Sequence, residues 1–322
     1  MKWFALVAAF GFAASSEASF DLLLTPDAAG GVQRIDPTTG AFLGKIGGLN
    51  NYNCIEASFS SRAALMHDST SGRFYRYDYS TCERLGQTGS VSSLWTSLNQ
   101  DGDTVTSTVA GGTTVSRYSL STGNLVGSTS FPNTGFGGLY TEYNASFGAY
   151  TYLNTTTSQS VNQGFLTSGT SFGGLININT IVAQSGLVYL GSGVIKYMIS
   201  IVGTSAGWFV ARMGYSTTTG AITTGATQAL TGFSLAGGSV PSLVAGHNGF
   251  YVVGRDATNP TTQTRIQEFD DIGPFVLQRN YTMGFQTPTG VFKPGIVLAP
   301  EPGTWAAIGL GALALMRRKR TR

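Results

Sequence analysis

The sequence predicts an all-β chain folded as a β-propeller of about six four-stranded blades, with seven blades as the alternative. Three observations support this prediction. The composition suits short strands joined by tight turns, with 44 glycines among 322 residues and only 11% charged residues. Segments that combine a strand and a turn recur about every 42 residues. Glycine-rich passages recur at intervals of 36 to 64 residues, and repeats of roughly 40 to 50 residues are typical of propeller blades.

Three segments align on an alternating strand, an arginine and a turn that ends in Thr-Gly or Thr-Cys. The turn begins at an Asp or Ser that can accept hydrogen bonds from its backbone, and its Gly supplies the positive φ of a hairpin. The offsets are 42 residues from Asp36 to Asp78 and 41 residues from Asp78 to Ser119. We expect the matched arginines to cover a sheet face and to pair locally. The segments are Val32–Gly40, Phe74–Cys82 and Val115–Gly123, and their arginines are Arg34, Arg76 and Arg117.

The ends of this body predict a closed ring. The segment from Phe20 to Thr25 has the pattern of a blade's second strand, and the segment from Val291 to Ala299 can supply the strand that this blade lacks. A sheet shared by the two ends would remove an open edge. The repeated turn resembles the Asp-x-x-Thr-Gly hairpin of quinoprotein-like propellers, which implies the fold alone. A β-helix or a pair of β-sandwiches is the alternative, since strands rich in Thr, Ser and Gly also suit those folds.

Residues 1–18 are predicted to be a secretory signal peptide. Lys2 precedes an apolar stretch of twelve residues, Trp3–Ala14, and Ser16-Glu17-Ala18 offers a cleavage site with small residues on either side. Twelve helical residues are too few to cross a hydrocarbon layer of about 30 Å. An N-terminal strand or a core helix is the alternative. We expect the exported, propeller-like domain to span residues 19–299.

Residues 300–322 form a tail of three parts. A Pro-Glu-Pro triplet comes first, an apolar stretch from Trp305 to Met316 follows, and a basic cluster ends the chain. The positive-inside rule keeps the basic cluster in the cytoplasm and leaves the body outside the membrane. The triplet is Pro300, Glu301 and Pro302, and the basic cluster is Arg317, Arg318, Lys319 and Arg320.

This tail resembles the PEP-CTERM sorting signal of Gram-negative bacteria in the order and spacing of its parts. The resemblance covers about the last 25 residues. It implies recognition by an exosortase, a membrane transpeptidase-like protease expected to cut near the triplet. The precursor would be tethered to the inner membrane by a C-terminal helix and then released to the cell surface or the extracellular matrix, in bacteria that make exopolysaccharide and biofilm. An ordinary tail anchor is the alternative.

The body carries almost no net charge. The formal charge of the chain is +3, but the two ends hold six of its 19 cations and two of its 16 acidic residues. The body therefore has 13 cations against 14 acidic residues, a net charge of −1. It lacks the clustered Lys and Arg that contacts with phosphate require, so we expect no nucleic-acid partner.

The body shows no catalytic or metal-binding motif, and we expect no catalytic residue, no metal and no cofactor. The two histidines, His67 and His247, are 180 residues apart in a spacing that fits no metal site. Asn99–Asp103 alternates oxygen ligands, but the acid that would close a calcium loop is missing, so we interpret it as a hairpin turn. The alternative is a secreted propeller hydrolase or polysaccharide lyase, in which a histidine would meet Asp68 or Asp256 in a pocket on the axis.

Cys54 and Cys82 are candidates for a disulfide, which an exported compartment permits. Cys82 replaces the turn glycine of the repeat, whereas Cys54 lies near the start of a first strand, at the opposite side of the blade. A bridge requires Cα atoms within about 7 Å. A disulfide and two free thiols both stay open.

The sequence as a whole favours a non-catalytic structural or binding protein of the cell surface or extracellular matrix. The sorting tail, the low charge and the richness in Ser, Thr and Gly support this hypothesis. Its expected partners are an exosortase and either exopolysaccharide or another surface protein. Aromatic rings that could stack on sugars cluster at Tyr140, Tyr143, Tyr150 and Tyr152.

Overall fold

The computed structural model describes residues 21–298 apart from short connecting segments. The described residues contain 24 β-strands and no helix. For most of residues 131–226 the description covers the backbone alone. The connecting segments left out are residues 92–94, 99–103, 109–113, 131–138, 145–148, 156–159, 167–170, 177–180, 191–194, 205, 217–221, 237, 247–248, 271–274 and 291.

The described strands form six four-stranded antiparallel sheets, numbered here in chain order and given from the innermost strand outwards. Sheet 1 contains β24 (Gly295–Val297), β1 (Leu22–Pro26), β2 (Val32–Asp36) and β3 (Ala41–Ile46). Sheet 2 contains β4 (Tyr52–Ser58), β5 (Ala63–Asp68), β6 (Arg73–Asp78) and β7 (Arg84–Ser90). Sheet 3 contains β8 (Trp95–Leu98), β9 (Thr104–Thr108), β10 (Thr114–Ser119) and β11 (Leu125–Ser130).

The remaining three sheets follow the same order along the chain. Sheet 4 contains β12 (Leu139–Asn144), β13 (Ala149–Thr155), β14 (Ser160–Leu166) and β15 (Ser171–Ile176). Sheet 5 contains β16 (Ile181–Leu190), β17 (Ile195–Thr204), β18 (Gly207–Ser216) and β19 (Ile222–Leu230). Sheet 6 contains β20 (Ser242–Ala245), β21 (Gly249–Arg255), β22 (Thr264–Asp270) and β23 (Leu277–Met283). The predicted all-β propeller body is confirmed.

The ring closes because the two ends of the body pair within sheet 1. The innermost strand, β24, runs antiparallel to β1, with Val297 opposite Leu22 and Gly295 opposite Leu24. Each innermost strand contacts that of the next sheet, from β24 through β4, β8, β12, β16 and β20 and back to β24. Closure by the terminal strands leaves no sheet edge open at the junction.

The hydrophobic core lies between neighbouring sheets. Successive residues of a strand face opposite sides, so each sheet offers one face to each neighbour. Leu24 packs with Ile55 and Met66 between sheets 1 and 2, whereas the preceding residue, Leu23, packs with Val253 between sheets 6 and 1. Burying a leucine side chain fully contributes about 2 kcal/mol. Further described clusters lie between sheets 2 and 3 and between sheets 5 and 6.

Candidate functional site

Both ends of the described chain leave the ring on the same side. Leu22 of β1 lies opposite Val297 of β24, so the chain enters at Asp21 and exits at Leu298 on neighbouring strands. Strand β2 runs antiparallel to β1 and ends on this side as well. We call this side the chain-end rim. It comprises the two chain ends, the hairpins between first and second strands, the third-to-fourth-strand turns that begin at Asp36, Asp78, Ser119 and Asp270, and the residues that open each fourth strand.

The first turn of the rim is held by the side chain of Asp36. Its carboxylate accepts hydrogen bonds from the backbone N–H of Thr38 (2.8 Å) and from the hydroxyl of Thr39 (2.6 Å). Gly40 donates its N–H to the Asp36 carbonyl (2.8 Å) and has a φ of 71°. That backbone conformation is open to glycine at little cost, which explains the Thr-Gly ending of the repeat.

The equivalent turn of sheet 2 is held by Asp78. Its carboxylate accepts hydrogen bonds from the backbone N–H groups of Ser80 (2.7 Å) and Thr81 (3.0 Å). Cys82 takes the place of the glycine and has a φ of 65°. Burial works to raise the pKa of Asp78, but the hydrogen bonds from Ser80 and Thr81 and the guanidinium of Arg62 outweigh it and lower that pKa below its ordinary value.

Side chains of one sheet fasten the turn of the next sheet along the ring. The three bonds run from Arg34 Nη1 to Cys82 Sγ (3.1 Å), from Arg76 Nη1 to the Ser121 carbonyl, and from the Tyr281 hydroxyl to the Pro37 carbonyl (3.3 Å). They join sheet 1 to sheet 2, sheet 2 to sheet 3, and sheet 6 to sheet 1. The expectation of local pairing is wrong for Arg34, whose partner lies 48 residues further along the chain. Arg76 reaches a partner 45 residues further along and also pairs locally, from Nη2 to the Leu85 carbonyl (3.4 Å).

Four of the outermost strands carry a one-residue β-bulge just after the turn. In sheet 1, Arg34 lies opposite Gly44 and Ile35 lies opposite Phe42, which leaves Leu43 without a partner in the ladder. A bulge bends an edge strand and hinders its pairing with another chain. Equivalent register shifts skip Leu85, Val126 and Gln278 in sheets 2, 3 and 6.

The chain-end rim exposes large hydrophobic side chains to water. Eleven such side chains are exposed among the described residues, and nine of them lie on this rim. The other two, Leu49 and Leu235, lie on connections between sheets at the opposite side of the ring. Apolar side chains gathered on one side of a protein mark a contact surface more often than scattered ones do. The nine are Phe42, Leu43, Phe59, Leu85, Leu125, Val126, Val276, Leu277 and Leu298.

A buried ion pair joins the innermost strands of three sheets. Lys293, just before β24, donates to the carboxylate of Glu56 on β4 and to the carbonyl of Thr96 on β8 (2.6 Å). The Thr96 hydroxyl donates to the same carboxylate (3.1 Å). Lys293 is 4% exposed and Glu56 is 6% exposed. Because each buried charge has a partner, the cluster can fasten the closing strand to sheets 2 and 3 without an isolated charge.

His67 lies in β5, where both ring nitrogens have internal partners. Nε2 is 2.9 Å from the Val91 carbonyl, which can only accept, so Nε2 carries the proton. Nδ1 is 2.7 Å from the side-chain oxygen Oδ1 of Asn53. Burial lowers the pKa of His67, and a neutral ring requires the Asn53 amide to be turned so that its NH2 group, in place of Oδ1, faces Nδ1. His247, the other histidine, lies outside the described residues.

The two carboxylates considered for catalysis hold turns between second and third strands. Asp68 accepts hydrogen bonds from the Thr70 N–H (3.0 Å) and from the Ser71 hydroxyl (2.7 Å). Asp256 accepts one from the Thr258 N–H (2.8 Å) and forms an ion pair with Arg265 at 2.6 Å. Within the described residues, these contacts give both carboxylates a structural role.

Cys54 and Cys82 do not form a disulfide in the structure. Cys54 is buried on an innermost strand, whereas Cys82 lies in a turn on the chain-end rim, where its sulfur accepts the bond from Arg34. Burial is the main cause that raises the pKa of Cys54 to about 12. Cys54 therefore stays protonated at neutral pH and is a poor nucleophile.

The predicted signal peptide (residues 1–18), its cleavage site and the sorting residues of the tail lie outside the described residues. The same holds for the turn at Asn99–Asp103. Among the residues that are described, no helix is long and apolar enough to cross a membrane. In that same part of the chain, no three His, Cys, Asp or Glu side chains lie close enough to hold a metal ion.

Comparison with known families identifies the tail. Residues 298–320 match the model of the PEP-CTERM protein-sorting motif, in agreement with the resemblance seen in the sequence. The match contains the triplet and the basic cluster and begins directly after strand β24. A search of curated proteins found no match to the chain.

Solved structures resemble the body in fold. A protein of unknown function from Bacteroides caccae has a TM-score of 0.58 at 14% identity, over 88% of this chain and 100% of that one. Hydrazine synthase of Kuenenia stuttgartiensis has a TM-score of 0.54 at 12% identity, over 89% of this chain and 92% of that one. TolB of Acinetobacter baumannii has a TM-score of 0.53 at 14% identity, over 86% of this chain and 66% of that one. At these identities the likeness shows the propeller fold alone.

A second glycine in each repeat lies on the outermost strand, close to the position of the matched arginine. A glycine stands four residues after the last residue of each turn, at Gly44, Gly86 and Gly127. A β-carbon at Gly44 would lie 3.6 Å from the Arg34 guanidinium, and one at Gly127 would lie 3.8 Å from that of Arg117. At Gly44 and Gly127 a side chain larger than alanine would compete with the arginine for space above the outermost strand, whereas Gly86 has open space within 4 Å of its β-carbon position.

Proposed function

We propose that this chain is an exported protein that an exosortase sorts to the cell surface or the extracellular matrix, where its propeller body has a non-catalytic structural or binding role. Residues 1–18 would be removed during export, residues 19–299 would form the displayed body, and residues 300–322 would be the sorting and anchoring segment. Before processing, the precursor would be tethered to the inner membrane.

The observation that carries this proposal is the place where the sorting motif begins. The motif match starts at Leu298, and the closing strand ends at Val297. A cut near Pro302 would therefore leave all six described sheets and the pairing of β24 with β1 intact. A ring that closes ahead of its sorting signal can be released without unfolding.

The non-catalytic role is supported by the contacts of the polar residues in the body. The side chains of His67, Asp68 and Asp256 all form hydrogen bonds within the body. The hydrolase or lyase alternative would have to draw its acid and base from other residues.

The proposal is tested in the native host. Wild-type chain should be converted from the precursor to a shorter form, and a variant carrying Pro300→Ala and Pro302→Ala should stay in the membrane fraction at precursor mass. Leu49→Ala, an exposed position at the opposite side of the ring, is the matched control and should be processed like wild type. The assignment of the sorting signal would be overturned if the triplet variant were processed like wild type. It would also be overturned if wild type were still processed in a host without exosortase.

The partner of the released body is sought with the host's own polysaccharide. We expect the body to co-sediment with exopolysaccharide from the host and not with a neutral dextran of similar size. Absence of binding would shift the proposal towards another surface protein as the partner. Release of new reducing ends or unsaturated sugars from the polysaccharide would favour the enzyme alternative instead.

A further inference from the structure

The chain-end rim combines two features that nothing in the propeller fold requires to coincide. Both described chain ends leave the ring there, through the pairing of Leu22 with Val297. Nine of the eleven exposed large hydrophobic side chains of the described residues also lie there. The predicted membrane-associated segments at the two ends of the chain therefore both continue from the side of the ring that is richest in exposed apolar groups.

The length of the tail sets how far this rim can be from the membrane. Seven residues, 298–304, separate β24 from the apolar stretch that starts at Trp305. Seven residues span at most about 25 Å even when fully extended. A tethered precursor must therefore keep the exit of its ring within that distance of the bilayer.

We infer that the chain-end rim rests on the periplasmic leaflet of the inner membrane while the precursor is tethered, with the side chains beside the bulges inserted among the lipid headgroups. The inference rests on the proposed function, because it needs the tail to be held in the membrane. It adds an orientation of the body and a lipid contact that the sorting signal alone does not supply.

The apolar groups are well placed for such a contact. Phe42 and Leu125 are 57% and 59% exposed, and Leu43 and Val126 are 40% and 52% exposed. Phe42 and Leu43 lie at the start of the outermost strand of sheet 1, and Leu125 and Val126 lie at the start of that of sheet 3. The lipid contact would therefore have anchors on different blades. Apolar and aromatic side chains enter the interfacial region more readily than exposed charges do.

Two acidic side chains of the rim, Asp36 and Asp78, present a small obstacle. The carboxylates of Asp36 and Asp78 already accept hydrogen bonds from their own turns. Their approach to the headgroup region therefore does not leave them without partners. The arginine and tyrosine bonds between sheets hold these turns in place, so the rim can approach the lipid as one surface.

The test uses the full-length chain reconstituted in vesicles of phosphatidylethanolamine and phosphatidylglycerol. Single cysteines at Leu43 or Val126 on the rim, and at Leu49 or Leu235 on the opposite side as matched controls, are labelled with a polarity-sensitive fluorophore. All four variants carry Cys82→Gly to remove the partly exposed native thiol, while buried Cys54 stays. We expect spin-labelled lipid to quench the fluorescence of the two rim labels at least about twofold more than that of the two control labels, because quenching requires contact between the fluorophore and the spin label.

The outcomes separate this inference from the proposed function. Failure of the chain to float with the vesicles would overturn the tethered precursor and the lipid contact together. Flotation with equal, weak quenching at all four labels would overturn the lipid contact alone. Quenching at the rim that depends on the protein-to-lipid ratio, together with cross-linking between rim cysteines of the unlabelled variants, would replace the lipid with a second copy of the chain. A rim variant keeps the labelled cysteine at Leu43 or Val126 and carries Phe42→Ser, Leu125→Ser and serine at whichever of those two positions is not labelled. It should float equally well and lose the difference in quenching.

Discussion

Lys293 and Glu56 are 237 residues apart in the chain and form a buried ion pair at the junction of sheets 1 and 2. The pair lies beside the strand that closes the ring, and a parallel bridge between Cys54 and Lys293 continues the contact along the backbone. Closure of the ring therefore rests on a charge interaction in addition to the pairing of β24 with β1.

Lys293→Met should lower the free energy of unfolding by about 3–5 kcal/mol, because it leaves the Glu56 carboxylate buried without its cation. Chemical denaturation of the body measures this change. Lys45→Met is the control and should cost less, because the Lys45 side chain is 34% exposed and its buried partner Asp27 keeps hydrogen bonds from the Ala29 N–H (2.9 Å) and from Gln33 Nε2 (2.6 Å). Equal effects of the two substitutions would contradict a special role for the buried pair.

Gly295→Ala should destabilise the closing strand by about 1–3 kcal/mol. A β-carbon at this position would lie 2.6 Å from the Ile55 side chain and 3.1 Å from its carbonyl oxygen. Gly86→Ala serves as control, because nothing lies within 4 Å of the corresponding β-carbon on an outermost strand. Thermal unfolding compares the two, and a melting temperature that falls no further for Gly295→Ala than for Gly86→Ala would contradict the tight contact.

The body should lose stability in acid partly through Asp78. The pKa of Asp78 is lowered in the folded state, so its contribution is present above the unfolded pKa of about 4 and is lost as pH falls through the folded value. Asp78→Asn should reduce the fall in the free energy of unfolding as pH drops below about 4. Denaturation curves across that range provide the measurement, and parallel curves for the two proteins would exclude the effect.

His67 should titrate below its ordinary pKa of 6.5, because burial disfavours its charged form. The unfolded chain then binds a proton that the folded chain does not, so stability falls as pH drops below about 6.5 and levels off below the folded pKa. His67→Gln should flatten this part of the curve. Nuclear magnetic resonance of the ring nitrogens checks the state directly: at pH 7 we expect a neutral ring protonated on Nε2, and a doubly protonated ring would refute it.

Much of the fold could be predicted from local patterns. The strand expected from Phe20 to Thr25 is found as Leu22–Pro26, and the strand expected between Val291 and Ala299 is found as Gly295–Val297. Strand β1 is visible in the sequence as a short continuous apolar run, because residues on both of its faces are buried, as Leu23 and Leu24 illustrate. The glycine turns and the spacing between them predict the division of the body into four-stranded sheets.

The contacts between sheets could not be predicted in the same way. Nothing local to Lys293 points to Glu56, since their proximity depends on closure of the whole ring. Arg34 occupies a matched position of the repeat, but its partner is the sulfur of Cys82 in the next sheet, and only the packing of the two sheets specifies that contact. Exposed hydrophobic side chains gather on one rim partly because of bulges such as the one at Leu43. Such a bulge is defined only by the pairing register of the two strands.

The most direct test of the central claim is the intact mass of the protein from the native host, measured separately in the cell envelope and the medium. The account predicts a mature form that lacks about the first 18 residues and the tail beyond Pro302, outside the membrane fraction. A chain that still ends at Arg322 and occurs only in the membrane fraction would contradict sorting and release.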